Sequence, residues 1–376
     1  MRKNILLIST VLSLLVWSSC SSKVDHTEKS LKQALAGKFY IGVALNTWQT
    51  SGEDSLVKAT IVNNFSSIVA ENCMKSESLQ PIEGEFNFEM ADDFVDFGEK
   101  NEMFIIGHCL VWHAQAPAWF FTDAEGNDVS REVMIDRMKS HISTVVGRYK
   151  GRVDGWDVVN EAFNEDGTLR DSKFLQIIGD DYIQLAFEFA HEADPDAELY
   201  YNEYNMYKPE KLDGVLKVVK SIQENGVRID GVGMQAHISL VDPTIEQYET
   251  SVNAVAALGL KTSFTELDIS VLPWPEGPVV AEISTSFELQ KEFNPYPDGL
   301  PDSLATALTE RYASLFEMFL KNSDKIERVT LWGLSDATTW RNDWPVQGRT
   351  DYPLLFDRQY TAKPAVEAII ELTTEK

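Results

Sequence analysis

The chain has 376 residues, of which 44% are hydrophobic, and its formal net charge at pH 7 is −26. This acidity argues against nucleic acid and anionic membrane surfaces as partners, and it suits a neutral substrate. The length allows one large α/β domain or two smaller ones, and the lack of an internal linker rich in Pro, Ser or Gly favours one.

Residues 1–19 predict an export signal of the lipoprotein type. Two basic residues precede an apolar run at 5–17, which is too short to span a bilayer as a folded helix. Small residues then lead to Cys20, the expected site of lipidation. We interpret 20–36 as a tether and 37–376 as the catalytic domain. The protein is therefore expected to be exported and anchored by lipid to the outer membrane, facing the periplasm or the cell surface, or otherwise secreted.

Strand and helix signals alternate along the rest of the chain. Eight apolar or β-branched runs predict strands at Phe39–Asn46, Phe65–Asn72, Met103–Trp112, Asp154–Glu161, Ala197–Asn205, Asp230–Ile238, Lys261–Ser270 and Arg328–Ser335. Helical patterns lie between them, at Arg131–Tyr149, Asp181–Ala193, Pro209–Asn225, Ile245–Leu258, Leu304–Lys321 and Ala362–Leu372. Eight such units indicate the α/β class and a single (β/α)8 barrel, with long loops after strands 7 and 8 at 271–303 and 336–361.

Polar and aromatic side chains cluster at the C-terminal ends of these strands, where a barrel of this kind places its active site. From strand 2 to the loop after strand 8 they include Glu71, Asn72, Lys75, His108, Trp112, Gln115, Asn160, Glu161, Asn202, Tyr204, Asn205, Gln235, His237, Glu266, Asp268, Trp332 and Trp340. A structural role can explain any one of them, but it does not easily explain polar residues at the same end of seven strands.

Two glutamates, Glu161 and Glu266, each close an apolar strand, and a pair of carboxyl groups is what glycosidic bond cleavage requires. Glu266 is the predicted nucleophile. His237 on the preceding strand can donate a hydrogen bond to it, and Asp268, two residues further along the same strand face, can orient His237. Glu161 is the predicted acid/base, and the negative charge of Glu266 would help it to keep its proton.

These motifs resemble glycoside hydrolase family 10, the endo-β-1,4-xylanases, over nearly the whole mature chain. GHCLVWHAQAPAW, WDVVNEA, GVGMQAH, TELDIS and LWGLSD, followed by Trp340 and PLLFD, stand in the order of the family's motifs. Two residues depart from its pattern: Cys109 stands where Thr is usual, and Glu203 where Asp is common. We assign neither side chain to the chemistry.

The resemblance implies a retaining endo-1,4-β-xylanase that hydrolyses internal bonds of xylan and xylo-oligosaccharides through a glycosyl-enzyme on Glu266. It implies that Asn160 contacts the sugar 2-hydroxyl, and that Trp332 and Trp340 crowd the cleavage subsite against the hydroxymethyl group of glucose. Tyr204 and Asn205 are expected on the leaving-group side. The residues expected to bind the remaining sugars, mostly on the non-reducing side, are Glu71, Asn72, Lys75, His108, Trp112, Gln115 and Gln235.

Three alternatives to this hypothesis stay open. The first is a related retaining β-glycanase acting on glucan or mannan, against which the order of motifs argues. The second is a non-catalytic glycan-binding lipoprotein, against which the intact carboxylates and the His237–Asp268 pair argue. The third, a metal-dependent barrel hydrolase, needs converging His and Asp ligands, and the sequence lacks the typical H-x-H pattern.

No cofactor and no metal are implied, and the protein is expected to be a monomer attached to a membrane only through Cys20. Cys73 and Cys109 lie near the ends of consecutive predicted strands. They can pair or remain buried free thiols, and free thiols are the more frequent outcome.

Overall fold

The computed structural model describes residues 29–274 and 292–374, and its strands form a closed parallel barrel. The strands are β1 (Tyr40–Leu45), β2 (Ser67–Ala70), β3 (Phe104–Trp112), β4 (Gly155–Asn160), β5 (Glu198–Glu203), β6 (Gly231–Met234), β7 (His237–Ser239), β8 (Lys261–Ser270) and β9 (Ile326–Leu331). Pairing runs from β6 back to β1, then to β9 and β8, and β6 closes the ring on β8. Because β6 and β7 both pair with β8, they share the sixth of eight positions. The predicted (β/α)8 barrel is confirmed.

Helices connect the strands on the outside of the barrel. They are α1 (Leu31–Ala34), α2 (Thr47–Thr50), α3 (Ser55–Asn64), α4 (Ser76–Leu79), α5 (Glu89–Lys100), α6 (Arg131–Arg148), α7 (Lys173–Ile178), α8 (Tyr182–Ala193), α9 (Pro209–Glu224), α10 (Ile245–Ala256), α11 (Asp302–Lys321) and α12 (Pro364–Glu371). Several start at a side-chain cap: Asp54, Ser130 and Thr244 each accept hydrogen bonds from amides of the first turn. Within the described ranges, no helix is both long enough and apolar enough to cross a membrane.

Two separate apolar clusters hold the fold together. The larger one lies between the strands and the surrounding helices. The smaller one lies inside the barrel, because its members come from different strands around the ring: Ala44, Val69, Ile106, Tyr200 and Trp332. Trp332 follows β9 directly, so the top of this inner cluster forms the floor beneath the C-terminal ends of the strands.

The folded domain begins earlier than the sequence pattern indicated. Ser30 caps α1, and Leu31 and Leu35 are buried in the larger core. The predicted tether boundary at residue 36 is therefore wrong, because a helix of four residues is too short to give a clear periodic signal. The predicted export signal and Cys20 lie outside the described residues.

The connection between β9 and α12 is long and contains turns, as predicted. The other predicted long loop, 271–303, lies partly outside the described residues, because 275–291 are not described. Cys73 and Cys109 are buried and unpaired, which confirms the expectation of free thiols.

Candidate active site

Glu161 and Glu266, the predicted acid/base and nucleophile, are connected by three buried amide side chains. Asn202 Nδ2 donates to Glu266 Oε1 at 2.7 Å and to Asn160 Oδ1 at 3.0 Å. Gln235 Nε2 donates to Glu161 Oε1 at 2.9 Å and lies 3.3 Å from Asn160 Oδ1. These residues lie at the C-terminal ends of β4, β5 and β6 and within β8, which are neighbours around the barrel. The ends of four barrel positions thus bring both carboxyl groups into one site.

Glu266 is buried, and both of its carboxylate oxygens have partners. Asn202 donates to Oε1, and His237 Nε2 lies 3.1 Å from Oε2. Asp268 lies two residues further along β8 and so faces the same side. Its Oδ2 lies 3.0 Å from His237 Nδ1. The structure therefore brings together the three residues that the sequence grouped around the nucleophile.

Asp268 is the carboxylate that pairs with two basic side chains of this group, His237 and Arg341. Trp340 Nε1 donates to Asp268 Oδ2 at 2.7 Å, and Arg341 Nε donates to Oδ1 at 2.8 Å. Burial disfavours the Asp268 carboxylate, but Arg341 and then His237 outweigh it and lower the pKa of Asp268 to about 2. Burial also disfavours a charge on His237, but Asp268 and Glu266 outweigh it and raise the pKa of His237 to about 9. At neutral pH, a cationic His237 therefore donates to Glu266.

Glu161 follows β4 and is only partly buried. Trp112 Nε1 donates to its Oε2 at 3.1 Å, while Gln235 donates to Oε1, and Asn160 Nδ2 lies 3.4 Å from the same oxygen. Sequence reasoning assigned Trp112 and Gln235 to sugar binding. In the structure, their polar N–H groups donate to the carboxyl group of Glu161 and orient it.

Predicted sugar-binding residues from β2 and β3 form one cluster beside Trp112. Lys75 Nζ donates to Asn72 Oδ1 at 3.0 Å and to Gln115 Oε1 at 2.8 Å, and it lies 4.9 Å from the centre of the Trp112 ring. Burial raises the pKa of the neighbouring Glu71, although Lys75 and Asn72 act in the opposite direction. The cluster holds donors and acceptors at the rim of the site, which suits sugar hydroxyls.

His108 and Trp332 form the floor of the site. His108 is 2% exposed, and its Nδ1 lies 2.9 Å from Asp157 Oδ2. Its ring meets that of Trp332 edge to face, with 5.3 Å between the ring centres. Because Trp332 is itself only 8% exposed, it presents little of its face to a ligand. Trp340 is more open, and its ring centre lies 5.1 Å from that of His237.

The two residues expected on the leaving-group side have protein partners. Tyr204 OH accepts from Arg170 Nη2 at 2.8 Å, and Lys211 Nζ lies 3.3 Å from the centre of the Tyr204 ring. Asn205 Nδ2 donates to Glu165 at 3.2 and 3.3 Å. Asn205 is thus held by Glu165 and does not join the network between the two carboxyl groups.

Sequence reasoning noted Asn202 without giving it a role, and it missed Arg341. Asn202 pairs in register with Asn160 on the next strand, so counting the register would have placed the two amides side by side. Arg341 lies in the irregular connection after β9, where no periodicity indicates which way a side chain points. Its contact with Asp268 had no signal in the sequence.

In the part of the chain that the structure describes, no group of three or more His, Cys, Asp or Glu side chains is arranged to hold a metal ion. The site instead contains two carboxyl groups that can act in catalysis: Glu266 is buried, and Glu161 lies at the rim.

Comparison with known proteins identifies the family. Residues 30–372 match the model of glycosyl hydrolase family 10. Endo-1,4-beta-xylanase A of Xylanibacter ruminicola is 49% identical over 349 residues, covering 93% of this chain and 95% of that protein. An endo-1,4-beta-xylanase of Geobacillus stearothermophilus is 41% identical over 350 residues, covering 91% of this chain and 98% of that protein.

A solved structure gives the same result at the level of the fold. A family 10 endoxylanase retrieved from a sugarcane soil metagenome superposes with a TM-score of 0.86 at 43% sequence identity, covering 92% of this chain and 99% of the other. The family model and the relatives extend over nearly the whole described barrel, including both candidate carboxylates. The chain belongs to glycosyl hydrolase family 10.

Proposed function

We propose that this protein is a retaining endo-1,4-β-xylanase in which Glu266 is the nucleophile and Glu161 the acid/base. The observation that carries the proposal is the network through Asn160, Asn202 and Gln235, which joins the two carboxyl groups at the C-terminal end of the barrel. The relatives named above are called endo-1,4-beta-xylanases, and this supports xylan as the substrate.

In the first step, Glu266 attacks the anomeric carbon while the bond from that carbon to the glycosidic oxygen breaks. Glu161 gives its proton to the departing oxygen, so the leaving sugar departs as an alcohol. His237 and Asn202 each donate to one oxygen of Glu266, and these hydrogen bonds hold the carboxylate in position for attack. The product of this step is a glycosyl ester on Glu266, and Glu161 is left ionised.

In the second step, Glu161 removes a proton from water, and the water oxygen attacks the same carbon from the side that the leaving group occupied. The ester bond breaks and Glu266 regains its negative charge. Glu161 regains its proton, and both residues return to their starting states. Two inversions at one carbon give net retention of configuration.

Asn160 is oriented for a contact with the sugar. Its Oδ1 already accepts from Asn202 and Gln235, which leaves its Nδ2 directed towards Glu161. This Nδ2 is the group that we expect to meet the 2-hydroxyl at the cleavage point. Such a contact strengthens as positive charge develops on the ring in the transition state.

Xylan is preferred over cellulose in this proposal because of bulky rings beside the nucleophile. The rings of Trp332 and Trp340 both approach His237, with 6.3 and 5.1 Å between centres. A glucose unit at this position would have to fit its hydroxymethyl group against these rings. Such steric discrimination is worth about 1–3 kcal/mol per group, so low activity on β-glucan is compatible with it.

The test is product analysis on xylan, carboxymethylcellulose and mannan, with Glu266→Ala as the control. We expect the wild-type protein to release xylo-oligosaccharides with the β-anomer formed first, and the variant to release none. Release of the α-anomer first would refute the retaining mechanism. Binding of xylan without hydrolysis would leave the glycan-binding alternative instead.

We also propose that the protein is exported and anchored by lipid on Cys20. The carrying observation is the run of small residues before Cys20, after an apolar segment with a basic start. Metabolic labelling with a radioactive fatty acid is expected to mark the wild-type protein but not Cys20→Ala. Equal labelling of both, or labelling of neither, would contradict the anchor.

A further inference from the structure

The backbone after β4 turns in an unusual conformation at Glu161. Its φ is +56°, a left-handed value that costs a non-glycine residue about 1–3 kcal/mol and persists only where the surroundings enforce it. Along a strand, successive side chains point to opposite faces. Asn160 points into the barrel site, so Glu161 in an extended conformation would point away. The left-handed turn is what lets both side chains reach Gln235.

All six backbone N–H and C=O groups of residues 161–163 are bonded. The three carbonyls accept from one residue, Arg170: its Nε donates to the carbonyl of Glu161 at 3.0 Å, its backbone N–H to that of Ala162 at 2.7 Å, and its Nη2 lies 3.4 Å from that of Phe163. The three amides donate to β5, the first of them to the carbonyl of Asn202 at 3.0 Å.

Two side chains of β5 receive the other two amides. The N–H of Ala162 donates to Tyr201 OH at 3.0 Å, and the N–H of Phe163 donates to Glu203 Oε2 at 3.1 Å. Tyr201 OH in turn donates to Glu203 Oε2 at 2.8 Å. The strand period puts Tyr201 and Glu203 on the same face of β5, opposite to the face of Asn202. One strand therefore supports the nucleophile with one face and the turn of the acid/base with the other.

Glu203 is fully buried, and its second carboxylate oxygen, Oε1, also has polar partners. Oε1 lies 2.9 Å from Nζ of Lys211, which is also fully buried, and it accepts from the N–H of Tyr204 at 3.1 Å. Burial raises the pKa of Glu203 to about 7 in spite of the nearby lysine. This residue is the glutamate that stands where the family commonly has an aspartate, and sequence reasoning gave it no part in the chemistry.

We propose that Glu203, with Tyr201, is a positioning residue for Glu161: the pair fixes the left-handed turn at 161–163 that directs the acid/base into the cleft. This inference rests on the proposed function, because it assumes that Glu161 supplies the proton. A purely structural ion pair would stabilise the barrel without favouring one step of the reaction. A positioning role predicts a loss confined to substrates that need the proton.

The experiment compares two substrates in the whole protein. The first substrate is an aryl xylobioside whose leaving group, 2,4-dinitrophenolate, departs without protonation. The second is a xylo-oligosaccharide, whose leaving sugar needs a proton from Glu161. The variants are Glu203→Gln, which keeps the shape but removes the charge, and Tyr201→Phe, which removes only the bridging hydroxyl. The quantity measured is kcat/KM, which reports the first step alone.

Both variants are expected to lose about tenfold or more in kcat/KM on the oligosaccharide, since a misplacement of about 1 Å can cost a hundredfold, and less than about threefold on the dinitrophenyl substrate. The matched control is Asp336→Asn, which removes the charge of another buried carboxylate paired with a lysine, Lys363, outside the site. It is expected to alter both rates by the same factor.

Equal losses on both substrates, or no loss on either, would overturn the positioning role while leaving the xylanase proposal intact. Failure of the wild-type protein to hydrolyse either substrate would instead overturn the proposed function. If Glu203→Gln does not fold, Tyr201→Phe decides the question by the same ratio.

Discussion

The two candidate catalytic carboxylates are held in different ways. Glu266 lies within β8, where the strand period alone directs it and Asp268 to the same face. Glu161 lies just past the end of β4, in a left-handed conformation that the strand does not supply. The proposed nucleophile is thus directed by regular structure, and the proposed acid/base by hydrogen bonds to a turn.

The two carboxyl groups also differ in the charge of the side chains around them. Glu266 is buried against a cationic His237, which pairs with Asp268, and Asp268 pairs in turn with Arg341. Glu161 lies at the rim, where neutral donors from Trp112 and Gln235 meet it. A cationic histidine and an amide thus hold the two oxygens of Glu266, whereas an indole and an amide hold those of Glu161.

The largest effect should come from removing the nucleophile. Glu266→Ala is expected to lower kcat on the order of 10⁴-fold or more, because the proposed glycosyl-enzyme forms on this carboxylate. The loss should be equally severe for xylan and for a dinitrophenyl xylobioside. Steady-state rates on both substrates check this, with circular dichroism as the control for folding.

Removing the proposed acid/base should lower the rate on one of these two substrates far more than on the other. Glu161→Ala is expected to reduce kcat/KM on xylan by about 10²–10⁴-fold, the usual contribution of general acid catalysis. The loss on the dinitrophenyl substrate should be small, because that leaving group needs no proton. Similar losses on both substrates would mean that Glu161 has another role.

Breaking the charge balance behind the nucleophile should show mainly in stability. Arg341→Met leaves Asp268 buried with one cation fewer, and removing one partner of a buried ion pair costs about 3–5 kcal/mol. The free energy of unfolding from urea titration measures this cost. The control is Arg131→Met, which breaks a pair that is exposed on both sides, and it should cost much less.

The smallest predicted effect is the pH dependence of stability. The pKa of His237 is about 9 in the folded protein and 6.5 as an ordinary histidine, so its contribution is complete below about pH 6.5 and is lost towards pH 9. The pKa of Asp268 is about 2, below its ordinary 3.8, so its contribution is present above about pH 4 and is lost on acidification towards pH 2. Urea titrations of wild type and His237→Gln between pH 6 and 9 should converge as the pH rises. Parallel curves would contradict the raised pKa.

Sequence reasoning reached the barrel because parallel strands covered on both faces read as apolar runs, and because polar residues stood at the ends of those runs. It also grouped Glu266, His237 and Asp268, since a period of two is reliable inside a strand. It could not place residues whose direction is set outside a strand. Arg341 lies in a long irregular connection, and the left-handed turn at Glu161 depends on partners from β5 and on Arg170.

Residue type alone also did not indicate which protein groups the predicted sugar-binding residues contact. Gln235 and Trp112 are predicted to bind sugars, and in the structure their N–H groups donate to Glu161. Asn205 is predicted to lie on the leaving-group side, and in the structure it donates to Glu165. Each of these side chains contacts another side chain of the protein. That contact depends on distances between loops, which no local sequence pattern encodes.

The most direct test of the two separate roles is to trap the intermediate. A 2-fluoro xylobioside with a good leaving group slows the second step, and mass spectrometry of the digested protein then locates the sugar. We expect one labelled peptide that carries the sugar on Glu266, in wild type and in Glu161→Ala alike. A label on Glu161, or no covalent adduct in a protein that still turns over xylan, would contradict this assignment.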